Sequence, residues 1–197
     1  LHRVDRRQRQ MCIRDSYVPQ PVYLIERFDR QAQGETWQRL HCIDACQMLG
    51  LDRHFKYQAG SIERLVQLLG LTTAPAVART RLFNWLLFNV LIGNTDAHLK
   101  NISFLIGPRG QQLSPFYDLL STAVYETRAF DQDRWPQAIT LAWPILGESH
   151  LARIDRQHLL DAAQALGLKR SQANAQAQRM QERICLLYTS PSPRDRG

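Results

Sequence analysis

The apolar and polar positions along the chain follow several different spacings, and each spacing predicts a different element. Residues 21–30, "PVYLIERFDR", are rich in β-branched and aromatic side chains and predict a strand that runs into charged residues. Residues 37–51, "WQRLHCIDACQMLGL", have helical spacing and predict a helix that ends at Gly50. A second amphipathic helix is predicted from Ser61, whose hydroxyl can cap its first turn.

Residues 76–92 are apolar on nearly every side, which predicts a buried central helix. A polar loop follows, and then a predicted β-hairpin made of residues 102–106 and 113–116 across the turn "GPRG". Two further helices are predicted in "DRQHLLDAAQALGL" and "SQANAQAQRMQERI", separated at Gly167, with Ser171 as the N-cap of the second. The pattern therefore predicts a mainly α fold of the α+β class with a small β-hairpin.

The composition is that of an ordinary globular domain. The 197 residues are 44% hydrophobic and 22% charged, which is enough for one domain with a substantial core. The longest apolar run, "LFNWLLFNVLIG", contains two asparagines and is shorter than the roughly 20 residues that span a bilayer. No secretory signal opens the chain, so we expect a cytoplasmic protein with reduced thiols and no membrane partner.

Both ends of the chain differ in composition from the middle, and one DNA element accounts for both. "MCIRDS" and "CLLYTS" can be encoded by the same nucleotide string read in opposite orientations, which resembles a translated transposase sequencing adapter. We therefore expect residues 1–16 and 185–197 to be non-native tails without tertiary packing, and residues 17–184 to be native. The alternative for the first tail is a basic arm that binds nucleic acid.

Removing the tails changes the charge argument. They carry seven arginines against three aspartates, so without them the net charge falls from +7 to +3 and does not indicate a nucleic-acid partner.

Cys42 and Cys46 lie at i, i+4 spacing beside His41, which could suggest a metal site. Because no second ligand pair follows at zinc spacing, we interpret them as two buried thiols on one helix face.

The stretch "IGNTDAHLKNISFL" places polar residues directly after the apolar segment. Asp96 and Asn101 have Asp-x-x-x-x-Asn spacing, and Asp118 in "FYDLLS" follows the predicted hairpin. Phosphoryl transfer needs a carboxylate that deprotonates the attacking hydroxyl and oxygen ligands that hold magnesium on the phosphates. Protein kinases present these residues in the same order. Separately, Asp96 could be a turn residue, Asp118 an N-cap and His98 a structural residue, but together they predict a nucleotide and magnesium site.

Five blocks resemble the HipA-like serine/threonine kinases, the toxins of bacterial toxin–antitoxin modules: "YLIERFDR", "RLHCIDACQMLGL", "KYQAGS", "LLFNVLIGNTDAHLKNISFL" and "LSPFYDLLST". The resemblance covers nearly all of residues 17–168. It implies a kinase-like two-lobed fold, of which this chain is the C-terminal lobe, with ATP and Mg²⁺ as cofactors. It also implies a protein substrate in translation, an aminoacyl-tRNA synthetase in known cases, and a DNA-binding antitoxin of the helix-turn-helix type as partner.

The same resemblance implies a role for each residue of the polar stretch. Asp96 is the catalytic base, and Asn101 and Asp118 hold magnesium. His98 or Lys100 supports the transferring phosphate.

The resemblance also implies a nucleotide site. The backbone of Glu26 and Phe28 meets the adenine at a hinge, and Tyr117 lies beside the nucleotide. Cys42 stands where the family has Gln, which departs from the expected nucleotide contact at that position, and the segment after Tyr57 is shorter than usual. Because a kinase needs an N-terminal lobe that carries a phosphate-covering loop and a lysine, we expect this chain to be a fragment that is inactive alone.

Three other functions stay open at this point. The Asp-x-His-x-x-Asn spacing also resembles the loop of phosphoinositide kinases, which act on lipids. A non-catalytic module could use the same surface to bind an antitoxin or a translation protein. A metal hydrolase could use Asp96, His98 and Asp118. Magnesium-dependent nucleotide binding separates the kinases from the binding module.

Overall fold

The computed structural model describes residues 10–13 and 22–189. They form an α+β fold whose strands are short and antiparallel, and the chain divides into two units between His41 and Cys42. The division therefore falls within the segment 17–184 that the sequence analysis assigns to one native lobe. In the described residues, no helix combines the length and the apolar character that crossing a membrane requires.

The first unit contains two antiparallel strand pairs. Strand β1 (Gln10–Ile13) pairs with β2 (Val22–Ile25), and β3 (Arg30–Gln33) pairs with β4 (Thr36–Arg39). Gly34 lies in the two-residue turn between β3 and β4 with φ +60°, a conformation that glycine adopts without strain.

One sequence prediction about this region is confirmed and two need correction. The strand predicted to run into charged residues is present as β2, and the charged segment after it turns at Phe28 and Asp29. The predicted helix at residues 37–51 is wrong over its first half, where β4 and β5 (Cys42–Asp44) are extended, and only α1 (Ala45–Met48) is helical.

The start of α1 is set by a capping box. The Asp44 carboxylate accepts from the Gln47 backbone N–H, and the Gln47 side chain accepts from the Asp44 backbone N–H, both at 2.9 Å. Cys42 therefore lies on a strand and Cys46 on the helix, so the two thiols do not share a helix face.

The expectation that both tails lack tertiary packing is wrong for one segment of the first tail. Strand β1 lies inside residues 1–16 and is paired with β2. Helix α5 (Arg170–Thr189) continues past the boundary at Cys185. The sequence has no proline or glycine between Gly167 and Pro191, so nothing local stops this helix at the predicted boundary. The remaining tail residues lie outside the described part of the chain.

A three-stranded antiparallel sheet in the second unit has the order β5, β6 (Ser103–Gly107), β7 (Gly110–Leu113). The predicted hairpin is confirmed, but its second strand ends at Leu113, where the predicted strand at 113–116 begins. Gly107 pairs with Gly110, so the turn between β6 and β7 has only two residues, and the pairing starts three residues earlier than predicted.

The described residues of the second unit also form three further α-helices and a strand pair separate from the sheet. They are α2 (Ile62–Gly70), α3 (Pro75–Leu91), α4 (Arg156–Ala165), β8 (Thr140–Ile145) and β9 (Glu148–His150). Ser61 caps α2 as predicted, since its hydroxyl accepts from the backbone N–H of Arg64. Ser171 does not cap α5, because that helix already begins at Arg170.

Helix α3 is the centre of the core, as its apolar pattern predicts. Leu82, Phe83, Leu86 and Leu87 are each at most 1% exposed, and burial of such a side chain stabilises the fold by about 1.5–3 kcal/mol. Trp85 packs edge-on against Trp143 of β8, with ring centroids 5.2 Å apart. The C-terminal end of this rigid helix carries the polar loop that follows.

Candidate active site at the end of the central helix

The residues that follow α3, here called the Asp96 loop (residues 93–101), are anchored by a chain of buried amides. The Asn89 side chain donates to the Trp85 carbonyl at 2.8 Å, and the Asn94 side chain donates to Asn89 Oδ1 at 2.8 Å. Asn94 Oδ1 accepts from the Asp96 backbone N–H at 3.0 Å, and Asn94 Nδ2 lies 3.2 Å from the Asp118 carbonyl oxygen. Asn94 therefore ties the backbones of Asp96 and Asp118 to the core helix.

Asp96 itself is exposed, and its carboxylate accepts a hydrogen bond from a distant tyrosine. Tyr57 Oη donates to Asp96 Oδ1 at 2.5 Å. Tyr57 follows directly on a 3₁₀ turn at Arg53–Lys56, far from the loop in sequence. No sequence pattern indicates a function for Tyr57, although it lies in one of the blocks that carry the family resemblance.

His98 is buried and faces Lys56. The imidazole Nε2 lies 3.2 Å from Lys56 Nζ, and Nδ1 is enclosed without a hydrogen-bond partner among the described residues. Burial lowers the pKa of His98 below its ordinary value of 6.5, and the positive charge of Lys56 lowers it further, although Asp96 and Asp118 act in the opposite direction. The lowered pKa favours the neutral form of the imidazole.

We expect Lys56→Gln to raise the pKa of His98, because it removes the positive charge beside Nε2. The return toward 6.5 should be incomplete, since the ring stays buried. Titration of the His98 ring signals by NMR measures the change. Lys100→Gln is the matched control, because it removes the same charge from a side chain that is not among the main causes of the shift. Equal effects of both variants on the pKa of His98 would contradict the contact between Lys56 and His98.

The lowered pKa of His98 also makes the free energy of unfolding depend on pH. The unfolded chain protonates His98 near pH 6.5, whereas the folded chain does so only at lower pH. Between these values the unfolded state binds more protons, so the free energy of unfolding falls as the pH drops below about 6.5. Lys56→Gln should make this fall smaller.

Asn101 and Asp118, the two predicted magnesium ligands, are in direct contact. Asn101 Nδ2 donates to Asp118 Oδ2 at 2.6 Å, and Asn101 Oδ1 accepts from the His98 backbone N–H at 3.0 Å. Asp118 has φ +58°, a left-handed conformation that is uncommon outside glycine and is found at functional sites. The hairpin of β6 and β7 returns the chain to this point, as the sequence analysis predicts.

The other predicted site residues lie in two places. Tyr117 Oη donates to the Lys100 carbonyl at 2.5 Å and lies 2.6 Å from Ser103 Oγ, so its phenol is tied to the Asp96 loop. Burial raises the pKa of Tyr117. Glu26 and Phe28 follow β2 in the first unit, Glu26 exposed and Phe28 half-buried. That these two residues share a nucleotide site with Tyr117 stays a prediction.

Two further side chains support the site and were missed by the sequence analysis. Arg81 of α3 donates to the carbonyls of Leu113 and Ser114 at 2.7 and 2.6 Å, which holds the segment that leads to Asp118. The Thr122 hydroxyl accepts from the Thr95 backbone N–H at 2.7 Å. Both contacts join residues more than 25 positions apart, so no local pattern could have indicated them.

The chemistry of the site suits a magnesium–nucleotide complex better than a metal held by protein alone. The described residues contain no cluster of three or more His, Cys, Asp or Glu that could hold a metal ion, which gives the hydrolase and thiol-metal interpretations no support. Magnesium commonly takes only one or two carboxylates from the protein and the rest of its ligands from phosphates and water. The Asn101 amide and Asp118 carboxylate fit that requirement.

Comparison with known proteins decides the family. The sequence model of the HipA-like C-terminal domain matches residues 7–186. The chain belongs to this family. The resemblance seen in the sequence blocks at residues 17–168 is thereby confirmed, and the family match runs past both ends of that segment.

Several curated proteins that are similar to this HipA-like chain are named as kinases. The serine/threonine-protein kinase toxin HipA of Shewanella oneidensis is 38% identical over 118 residues, which are 52% of this chain and 27% of that protein. The protein Y4mE of Sinorhizobium fredii, named as a candidate kinase, is 36% identical over 110 residues, or 53% of this chain and 26% of that protein. The matches thus span about a quarter of these relatives.

A solved structure has the same fold. It is the complex of HipA, HipB and operator DNA from Shewanella oneidensis, to which this HipA-like chain is similar with a TM-score of 0.72 and 30% identity. The similarity covers 89% of this chain and 44% of the matched chain in the complex. The α+β fold described above is therefore a HipA-like fold.

Proposed function

We propose that this chain carries the catalytic and magnesium-binding residues of an ATP-dependent serine/threonine protein kinase. The observation that supports this most is the 2.6 Å contact between Asn101 and Asp118, two residues 17 positions apart. Asp96 lies on the same loop as Asn101, and Asn94 links the backbones of Asp96 and Asp118. A kinase lobe needs a base and two magnesium ligands brought together in this way.

Each residue then has a step in the reaction. The Asp96 carboxylate accepts the proton of a serine or threonine hydroxyl while that oxygen bonds to the γ-phosphorus of ATP; the bond from this phosphorus to the bridging oxygen breaks and ADP leaves. Asn101 and Asp118 would hold magnesium, which neutralises charge on the phosphates when it is bound. For this ligation Asn101 must present Oδ1, which now accepts from His98 N–H.

Of the two residues predicted to support the transferring phosphate, we propose Lys100. His98 is only 8% exposed, its lowered pKa favours the neutral ring, and it faces Lys56. Lys100 is half-buried in the same loop and carries an ammonium group, which suits a phosphate. The lipid-kinase interpretation receives no support from the relatives, whose names refer to protein phosphorylation or to kinases in general.

The relatives contain further segments that this chain does not match, and we propose the activity for a protein that has such segments as well. They would supply the loop and lysine that cover the phosphates. By analogy with the complex of HipA, HipB and operator DNA, we propose a DNA-binding helix-turn-helix antitoxin as partner. We propose a translation protein such as an aminoacyl-tRNA synthetase as substrate.

The test is a chimera in which this chain replaces the matching segment of Shewanella oneidensis HipA. We expect it to transfer labelled γ-phosphate from ATP to serine or threonine of a bacterial aminoacyl-tRNA synthetase, and to do so only with Mg²⁺. A folded chimera that binds no magnesium-nucleotide would contradict the kinase function and favour the binding-module alternative.

Asp118→Asn should weaken binding of a magnesium–ATP analogue to the chimera by about tenfold or more, because a hard cation loses a charged oxygen ligand. Calorimetric titration with and without Mg²⁺ measures this. Asp133→Asn is the control, since it removes the same charge from an exposed pair with Arg128. Equal affinities of the two variants would mean that Asp118 does not bind magnesium.

A further inference from the structure

We propose that Tyr57 is a positioning residue for Asp96, holding one carboxylate oxygen so that the other meets the acceptor hydroxyl. The inference rests on the proposed kinase function and adds to it a residue outside the Asp-Asn-Asp pattern. It starts from the 2.5 Å hydrogen bond that Tyr57 Oη donates to Asp96 Oδ1 across 39 positions of sequence.

Asp96 needs such a partner because little else restrains its side chain. Its backbone N–H is held by Asn94 Oδ1 at 3.0 Å, but the residue is exposed, so packing does not select a rotamer. Among residues 22–189, the Tyr57 hydroxyl is the one hydrogen-bond donor that the Asp96 carboxylate has. Without it, an exposed aspartate samples several rotamers, and only some of them point at a substrate.

Tyr57 is itself held before any substrate arrives. Lys56 Nζ lies 4.4 Å from the centre of its ring, and the His98 ring meets it edge-on with centroids 5.1 Å apart. Its carbonyl accepts from the Gly60 N–H at 3.0 Å. Lys56 also reaches His98 Nε2, so two consecutive residues, 56 and 57, bind residues 98 and 96 of the loop.

The geometry points to positioning rather than blocking. An ionised carboxylate has about four acceptor directions on its two oxygens, and the phenol uses one direction on Oδ1. Oδ2 keeps its full capacity to accept the proton of a serine or threonine. A hydrogen bond at one oxygen limits rotation about the side chain and so orients the other.

The contact can be tested on this chain alone, without activity. In a sample labelled with ¹³C at aspartate carboxyl carbons, the Asp96 signal is assigned by its loss in Asp96→Asn. We expect Tyr57→Phe to move this signal and to leave the other aspartate signals in place. Tyr125→Phe is the matched control, because it removes a hydroxyl from a tyrosine that is 58% exposed and packs on Phe130.

The role is tested in the chimera with Shewanella HipA. We expect Tyr57→Phe to lower kcat about tenfold and to leave KM for magnesium–ATP unchanged, because only the orientation of the base is lost. In the Asp96→Asn background, Tyr57→Phe should leave kcat almost unchanged. A residue that acts only through the Asp96 carboxylate has no effect once that carboxylate is gone. Tyr125→Phe should leave kcat unchanged.

The outcomes separate this inference from the proposed function. An unsubstituted chimera without kinase activity, combined with the expected carboxyl shift, would contradict the kinase function and leave the Tyr57–Asp96 contact standing. An active chimera in which Tyr57→Phe leaves kcat unchanged would overturn the positioning role. A rise in kcat would show instead that the phenol blocks the acceptor hydroxyl. Equal losses in both backgrounds would show that Tyr57 acts on the fold and not through Asp96.

Discussion

Asp96→Asn should lower the rate of phosphoryl transfer in the chimera by about a hundredfold or more, the range expected when a general base is lost. Asparagine has nearly the same shape and can still accept the hydrogen bond from Tyr57, but it cannot take a proton at the reaction's pH. Magnesium–nucleotide binding should hardly change, because Asn101 and Asp118 keep their contact. A single-turnover assay under saturating nucleotide separates the chemical step from binding.

The control for this experiment is Asp133→Asn, the exposed aspartate paired with Arg128, which should leave the rate unchanged. Thermal unfolding should show similar midpoints for both variants, so that a slow Asp96→Asn enzyme is not simply unfolded. If Asp96→Asn kept the full rate in an active chimera, Asp96 would be a turn residue and the assignment of the catalytic base would be wrong.

Gly93→Ala should destabilise the fold through both backbone strain and overpacking. Gly93 has φ +62°, and a Cβ there would lie 2.5 Å from Ala123 Cβ and 2.9 Å from the Trp135 ring. The left-handed backbone costs about 1–2 kcal/mol, and the overpacking adds about 1–3 kcal/mol. We expect the free energy of unfolding to fall by about 3 kcal/mol, measured by denaturant titration of this chain.

Gly50→Ala measures the backbone part of that effect alone, so the difference between the two variants isolates the packing part. Gly50 has a similar φ of +65°, but no atom lies within 4 Å of the position of its Cβ, so only the backbone cost of about 1–2 kcal/mol applies. If both variants lost the same stability, the close approach of Ala123 and Trp135 to the Asp96 loop would not be present in solution.

Local sequence patterns were sufficient wherever one segment carries its own signal. The apolar run of α3 predicts a buried helix because burial of its side chains outweighs every exposed alternative. Ser61 predicts the start of α2 because its hydroxyl reaches a backbone N–H three residues away. The order of Asp96, Asn101, a hairpin and Asp118 indicates one site because a short hairpin must return the chain close to where it left.

Local patterns failed where another strand, near or distant in sequence, pairs with the same backbone. Residues 37–44 have helical spacing but are extended, because β4 pairs with β3 and β5 pairs with β6. Strand pairing satisfies backbone groups that a helix would otherwise satisfy, and spacing alone cannot show which partner is present.

The sequence by itself determined the family and the central helix, because each depends on residue types at short or motif-like spacing. It also predicts the three residues of the proposed phosphoryl-transfer site. Only the tertiary structure decided what holds them in place. Tyr57 reaches Asp96 across 39 positions, and Asn94 reaches the Asp118 carbonyl across 24. Such contacts depend on how separate elements pack around α3, and packing of elements far apart in sequence leaves no periodic signal along the chain.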